Sequence, residues 1–350
     1  MKVRYTRVDL HGRGEGFIDW LRRHRVRLVT LLVLIALFGA PVGAALWMTA
    51  VPGRTYAGPL PPLTPTQAQV AAHLRAHVEA IAGEPHNLGH PEALERAARY
   101  IESTLSGMGY AVRRQPFDDG QVRNIEVEIE PAVVGAPTLV VGAHYDSAYS
   151  APGANDNGTG TAAILELARA LGNLRGKAAV RIRLVFFVNE EPPFFKTERM
   201  GSLVYARRLR QSGERVSGMF SLETLGWYSD RKGSQRYPFP LDLLYPDTGN
   251  FVAFVGTVES RPLVRKTVKA FRELARFPSE GGTAPGFVQG IDWSDHWSFE
   301  QVGIPALMVT DTAPFRYPYY HSVEDTPDKV DYERLTQVVS GLELVIRHWR

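Results

Sequence analysis

Residues 28–53 form a run of 26 positions without a charged side chain, and this run constrains the fold more than any other feature of the chain. A helix rises about 1.5 Å per residue, so about 20 apolar residues cross a hydrocarbon core of about 30 Å. Pro41 and Gly43 fall inside the run, and membrane helices tolerate both residue types. The sequence therefore predicts one transmembrane helix over residues 28–50, acting as an uncleaved signal anchor.

A cluster of four arginines at residues 22–27 lies directly before this run. Cytoplasmic flanks of membrane helices are enriched in Lys and Arg. Residues 1–27 are therefore predicted to form a basic cytoplasmic tail, with the rest of the chain on the other side of the membrane. Two alternatives stay open: a cleaved signal peptide with a weak Gly-Ala-Ala site at residues 43–45, and a buried core helix.

The high pI, near 9.0, comes from the tail. Residues 1–27 contain eight Lys or Arg and three Asp or Glu, whereas residues 28–350 contain 32 and 34. Without a basic surplus the main part of the chain has no surface suited to phosphates, so no nucleic-acid partner is expected. The chain has no cysteine, which excludes disulfides and thiolate metal sites. Any transition metal must be held by His and carboxylates.

Five prolines fall between residues 52 and 65. Proline-rich segments favour extended, semi-rigid conformations. The sequence therefore predicts a linker over residues 51–65 that lifts an extracytoplasmic domain, residues 66–350, away from the membrane.

Within this domain, predicted strands alternate with predicted helices. Apolar runs predict strands at residues 138–143, 180–188, 219–222, 251–258 and 306–310. Amphipathic patterns predict helices at residues 66–82, 91–107, 159–174, 261–276 and 331–349. The alternation predicts an α/β fold with a mixed, mostly parallel central sheet and helices on both faces. Residues 226–249, rich in Tyr, Pro and Gly, predict a long loop that contributes to a pocket.

Histidine and carboxylates follow three of the predicted strands. His144 and Asp146 follow the first, Glu190 and Glu191 the second, and Glu223 the third. Ligands of α/β sheets bind at the carboxyl ends of strands. Residues i and i+2 of a strand point the same way, so His144 is a candidate metal ligand with Asp146 orienting its ring. Adjacent carboxylates at an apolar strand end are costly without a cation or other partners. One of the two glutamates can bind a metal while the other stays free as a base, and a solvated acidic turn is the alternative.

Two further candidates are weaker when taken alone. Asp156 lies in a turn rich in Gly and Asn before a helix, where an Asp also serves as a cap or turn residue. His321 lies in an aromatic loop after the last predicted strand, where a single His is commonly structural.

Six segments carry a family resemblance when taken together and in order: GAHYDS, GANDNGTG, FFVNEE, SLETLGW, SDHWSF and YYHSVEDTPDKVD. They span residues 142–331. The set resembles the co-catalytic zinc peptidases that include bacterial leucyl aminopeptidases, glutamate carboxypeptidase and glutaminyl cyclase. The resemblance implies the aminopeptidase-like fold, a peptide substrate and zinc exopeptidase activity.

The resemblance also implies how zinc is held. One zinc would be bound by His144, Asp156 and Glu223. A second would be bound by Asp156, Glu191 and His321, with Asp156 bridging the two ions.

Catalytic roles are implied in the same way. Glu190 would be the general base that acts on zinc-activated water, and Asp146 would orient the metal-bound histidine. Position 223 is a departure, because the family more often has Asp there, so a single zinc is an alternative. The matching SDHWSF segment contains Asp295 and His296, which are expected to support the site by hydrogen bonds.

Two other functions fit the same residues. One is aminoacyl cyclisation with a single zinc, as in glutaminyl cyclases. The other is a non-catalytic, receptor-like ectodomain, although a competent ligand at every metal position favours an enzyme. Side-chain preference, the end of the peptide that is trimmed and oligomeric state have no signal in the sequence.

Overall fold

The computed structural model describes residues 17–350 and divides the chain into two compact units, Met1–Trp47 and Met48–Arg350. Near the N-terminus, helix α1 (Phe17–Leu34) continues through one wider turn (Ile35–Gly39) into helix α2 (Ala40–Thr49). The stretch Arg22–Thr49 has a mean hydropathy of 2.4 and is long enough to cross a membrane. Its length and composition are those of a membrane span or a signal sequence.

In the described chain, one eight-stranded sheet has the order β1-β2-β4-β3-β5-β8-β6-β7. The strands are β1 Arg113–Phe117, β2 Val122–Ile129, β3 Thr138–His144, β4 Arg181–Phe187, β5 Val216–Glu223, β6 Val252–Thr257, β7 Ser279–Ala284 and β8 Ala306–Thr310. The central strands β4, β3, β5 and β8 run parallel. β2 runs antiparallel to β4, and the parallel pair β6 and β7 joins β8 in antiparallel fashion.

Helices cover both faces of the sheet. They are α3 Pro65–Ile81, α4 Pro91–Gly107, α5 Thr159–Leu171, α6 Gly201–Gln211, α7 Arg261–Leu274, α8 His296–Glu300, α9 Ala313–Arg316 and α10 Tyr332–Arg347. Alternate residues of β3 show the two faces. Leu139 and Val141 belong to the large core that includes α3, α5 and α10, whereas Val140 packs with Tyr205 of α6 and Phe299 of α8.

The expected fold class is confirmed: a mixed, mostly parallel sheet lies between helices. The predicted helix at residues 91–107 and the predicted strand at residues 306–310 have the observed bounds. Six of these strands and helices were not predicted, namely β1, β2, β7, α6, α8 and α9. The two outermost strands of the sheet are among them.

Residues 51–65 lie against the domain, which differs from the expected linker. Val51 and Leu60 pack against the large core, and Gln337 Nε2 donates a hydrogen bond to the carbonyl of Pro61 at 2.8 Å. The compact unit accordingly begins at Met48 rather than at residue 66. The prolines form part of the domain surface instead of a spacer.

Candidate active site

The predicted site residues lie together at the carboxyl edge of the sheet. His144 and Glu223 are the last residues of β3 and β5, and Glu190 and Glu191 come shortly after β4. Because β3 lies between β4 and β5, the three strand ends are neighbours. This edge is where open α/β sheets bind ligands.

Asp156, in the turn before α5, joins two groups of side chains. Its Oδ1 is 3.4 Å from His144 Nε2, and its Oδ2 is 3.1 Å from His321 Nε2. Glu223 Oε2 lies 3.3 Å from His144 Nε2, and Glu191 Oε2 lies 3.3 Å from His321 Nε2. Two groups of three potential ligands therefore share one carboxylate.

The ligand atoms of these two groups of side chains are suited to binding a cation. His321 Nε2 and Glu191 Oε1 are buried without a hydrogen-bond partner among the described residues, although His321 Nε2 is close to two carboxylates. Buried polar atoms without a partner are uncommon in proteins. One ligand atom each from His144, Asp156 and Glu191 lies within 4.8 Å of the others. Zinc in proteins is commonly bound by histidine nitrogens and carboxylate oxygens.

The pKa values of the ionisable groups at the site also indicate that it binds a cation. Burial and the negative charge of Asp156 raise the pKa of Glu191 to about 7. Burial also raises the pKa of Glu190 well above its usual value, and that of Glu223 as well. Although burial opposes it, contact with carboxylates raises the pKa of His321 to about 11. A bound cation would lower all of these pKa values, because it stabilises carboxylates and displaces protons from histidine.

Sequence comparison gives the family of the chain. Residues 124–345 match the model of peptidase family M28. The chain belongs to peptidase family M28. Members of this family depend on zinc, in agreement with the donors found at the strand ends.

Relatives in the M28 family differ in how much of their length this chain covers. The uncharacterized protein YfbL of Escherichia coli (strain K12) is 39% identical over 269 residues, which are 74% of this chain and 81% of that protein. Leupeptin-inactivating enzyme 1 of Streptomyces exfoliatus is 28% identical over 284 residues, or 80% of this chain. The chain spans only about half of that enzyme's length, 56%.

Solved structures share the M28 fold. An aminopeptidase from Aneurinibacillus sp. strain AM-1 superposes with a TM-score of 0.60 at 19% identity, covering 80% of this chain and 95% of that one. A glutaminyl cyclase from Tannerella forsythia superposes with a TM-score of 0.57 at 22% identity, covering 80% and 99%. At these identities the likeness concerns the fold.

Asp146 supports the M28 site in two ways. The Nδ1 atom of His144 is 3.0 Å from the main-chain carbonyl of Asp146 and 3.7 Å from its carboxylate Oδ1. The carboxylate itself accepts the main-chain N–H groups of Glu190 and Glu191, each at 3.2 Å. The histidine is thus contacted by the main-chain carbonyl of Asp146, whereas the carboxylate expected to orient it bonds to the turn that carries both glutamates.

Asp325 is a supporting residue that sequence reasoning did not single out. Its carboxylate accepts the main-chain N–H of Asn155 at 2.8 Å and that of Asp156 at 3.1 Å. The hydroxyl of Tyr317 donates to the same carboxylate at 2.7 Å. The signal was present, since Asp325 lies in the matching segment four residues after His321, but only the fold brings it to Asp156.

We expect Asp325→Ala to weaken zinc binding by about 10- to 100-fold, the usual effect of losing a group that positions a metal ligand. The measurement is competition with a chromogenic chelator. Asp328→Ala is the control, because Asp328 is exposed in the same loop and bonds only to its neighbours. Equal zinc affinity in the two variants would show that Asp325 does not position Asp156.

Asp295 and His296 were expected to support the site by hydrogen bonds, but both carboxylate oxygens of Asp295 are buried without a hydrogen-bond partner among the described residues. Ser294, beside them in the chain, does make such a bond. Its hydroxyl donates to Glu223 Oε2 at 2.7 Å and lies 2.8 Å from the hydroxyl of Ser221. His296 Nε2 instead lies 2.8 Å from the carbonyl of Ile291. Support for Glu223 therefore comes from Ser294.

An apolar pocket opens beside the site, with about 870 Å³ of empty space including its mouth. Glu223 and Tyr320 line the pocket on the side of the candidate ligands. The loop at residues 226–249, expected to contribute to a pocket, lines it with Tyr237, Leu241 and Tyr245. The floor is the sheet surface of β8, β6 and β7. The ring of Tyr320 also stacks on that of His321, with centroids 3.9 Å apart.

Proposed function

We propose that this chain is a zinc-dependent exopeptidase that removes residues from the amino end of peptides. The observation that carries the proposal is the pair of His–carboxylate groups joined by Asp156, with Glu190 beside them. One zinc would be held by His144, Asp156 and Glu223, and the other by Asp156, Glu191 and His321. Zinc ions there would supply Lewis-acid activation of water and of the scissile carbonyl.

Glu190 is the residue that moves the proton. Its carboxylate Oε2 lies 3.9 Å from His144 Nε2, next to the first group of ligands, and its main chain is fixed by Asp146. A carboxylate at this position can accept a proton from water at the ligand groups and return it to a leaving group. Glu190 therefore takes a proton from the attacking water and delivers it to the leaving amine.

The apolar pocket receives the side chain of the residue that is removed. It adjoins the ligand groups at Glu223 and Tyr320, so a peptide whose first carbonyl lies at the ligands places one side chain in it. Pockets of this kind bind mainly through apolar contacts. Burial and the nearby carboxylates raise the pKa of Tyr320, so its hydroxyl stays protonated and is available to donate a hydrogen bond to the substrate.

The experiment that tests this function is a peptide-library assay on the zinc-loaded full chain, reading which end is shortened. We expect loss of single residues from the amino end and no loss after the amine is acetylated. Trimming from the carboxyl end, or cyclisation of Gln-initiated peptides without hydrolysis, would overturn it. Binding of peptides without any turnover would favour the receptor-like alternative.

For the location of the chain we propose a single-pass anchor with residues 1–27 in the cytoplasm and the peptidase domain outside. The support is the apolar helix Arg22–Thr49 and the arginine cluster at residues 22–27. Fractionation of membranes followed by protease treatment of intact cells tests it. Protection of the domain in intact cells whose surface proteins are digested would contradict this orientation.

A further inference from the structure

The last two residues of the apolar helix and the six that follow it, Met48–Thr55, run along the edge strand β7, and we call them the wall segment. Thr283 Oγ1 donates a hydrogen bond to the carbonyl of Met48 at 2.9 Å. The main-chain N–H of Ser279 donates to Thr55 Oγ1 at 2.8 Å. These two bonds hold the wall segment at both ends of β7.

Helix α7 holds the same segment from a second side. Arg272 Nη1 donates to the carbonyl of Pro52 at 3.2 Å and to that of Gly53 at 3.0 Å. Arg265 donates to the carbonyl of Ala50. The Arg272 side chain is largely buried, and its Nη2 atom also donates to the carbonyl of Ser279 and pairs with Glu280 at 3.6 Å. Because its Nη1 donates to two main-chain carbonyls of the wall segment, this contact is more than a surface ion pair.

The wall segment reaches the apolar pocket at Thr49. Thr49 lines the pocket next to Gly282 of β7. A Cβ atom at Gly282 would lie 3.3 Å from Thr49 Cα and 2.1 Å from the hydroxyl oxygen of Tyr245. The absence of a side chain at position 282 therefore leaves room for both Thr49 and Tyr245 at this end of the pocket.

The register of the sheet shows how far this wall is from the ligand groups. Glu223 pairs with Thr310, Thr310 with Ala253, and Ala253 with Glu280 of β7. Directly paired residues share a face, and neighbouring strands are about 4.8 Å apart, so three steps span roughly 14 Å. The pocket thus runs from the ligand groups at β5 to the edge of the sheet, where Thr49 lies.

We propose that the wall segment closes the far end of the side-chain pocket, so that Thr49 sets the largest substrate side chain that the enzyme accepts. The proposal rests on the proposed function, because it takes the pocket as the place for the side chain of the first residue. The lining is mainly apolar, which makes bulky apolar side chains the class that meets the wall. The last residue of the apolar helix thereby becomes a specificity determinant.

Thiol labelling tests the wall directly, since the chain has no cysteine of its own. Full-length Thr49→Cys in lipid nanodiscs is treated with a maleimide, with and without L-phenylalaninol, which has a free amine and a bulky apolar side chain but no amide bond to hydrolyse. Thr49 is partly exposed, so the thiol introduced there is accessible in the unliganded protein. At about ten times the Kd of L-phenylalaninol the unliganded fraction falls to roughly a tenth, and alkylation slows about tenfold. The control is Ala57→Cys, an exposed position outside the pocket, at which alkylation stays unchanged.

A steric variant gives the second readout. Thr49→Trp shortens the pocket, so kcat/KM for a peptide that begins with Phe falls roughly tenfold or more relative to one that begins with Ala. The control variant Ala57→Trp is expected to have the wild-type ratio of kcat/KM between the two peptides. An unchanged ratio in Thr49→Trp, or a thiol in Thr49→Cys that L-phenylalaninol does not protect, would overturn the wall. If the thiol is protected but the wild type hydrolyses no peptide, the role of Thr49 in the pocket stands and the peptidase function is rejected. If the wild type hydrolyses peptides but the thiol is not protected, the peptidase function stands and the role of Thr49 is rejected.

Discussion

Glu190→Gln is expected to lower kcat by about 10²- to 10⁴-fold, the usual contribution of a general base. The amide has nearly the same shape as the carboxyl group but cannot accept the proton of the attacking water. Such a loss corresponds to roughly 3–5 kcal/mol of transition-state stabilisation. Steady-state kinetics on an amino-acid p-nitroanilide gives kcat, and elemental analysis gives the zinc content, which we expect to stay at the wild-type level.

The matched control for this prediction is Glu198→Gln. Glu198 is exposed, lies in the loop that follows Glu190 and pairs with Arg207, so its loss leaves the site intact. Full activity of Glu190→Gln would remove this residue from the proton transfer. Loss of zinc in Glu190→Gln would make it a ligand instead.

Asp156→Asn is expected to remove most bound zinc and, with it, activity. Each carboxylate oxygen of Asp156 faces a different histidine, so one substitution weakens both groups of ligands. An amide has no negative charge and only one oxygen with which to bind a metal. Zinc bound per chain after dialysis against a weak chelator is the measurement. We expect less than one zinc per chain, because the bridging ligand is shared.

A comparison with Glu223→Gln separates two zinc ions from one. Glu223 is close to His144 and belongs to the first group alone, so its loss should cost one ion and leave the other. Asp119→Asn, in an exposed turn, controls for the Asp-to-Asn change itself. If the wild type binds one zinc and Glu223→Gln still binds it, the result would support the single-metal alternative. It would also favour aminoacyl cyclisation over hydrolysis.

The central strands were predictable because they are buried on both faces. β3 and β4 consist largely of apolar and β-branched residues, the pattern of a strand inside a parallel sheet. The edge strands lack this pattern. β1 reads RRQPF and β7 reads SEGGTA, with charged residues, Pro and Gly that have low strand propensity. Such residues are common at sheet edges, where they discourage further pairing.

The candidate ligands were predictable for a related reason. Parallel strands bring their carboxyl ends to one edge of the sheet, so chemical groups that follow several strands meet there. His144, Glu191 and Glu223 each come within a few positions of a strand end. His321 and Asp156 lie on loops, and their place in the site came from the resemblance of their segments rather than from any periodic pattern.

The sequence by itself determined the apolar helix, the α/β class and the candidate ligands that follow the strands. Each of these features has a local pattern in the sequence: an uncharged apolar run, an alternation of strands and helices, or polar residues directly after an apolar run. The tertiary structure alone decided that Asp325 holds the Asp156 turn and that Thr49 meets Gly282 across the pocket. These pairs are 169 and 233 residues apart along the chain, and no local pattern records such a distance. The expected spacer at residues 51–65 lies on the domain for the same reason: proline content predicts an extended chain, but only packing against Arg272 and the core decides where an extended chain lies.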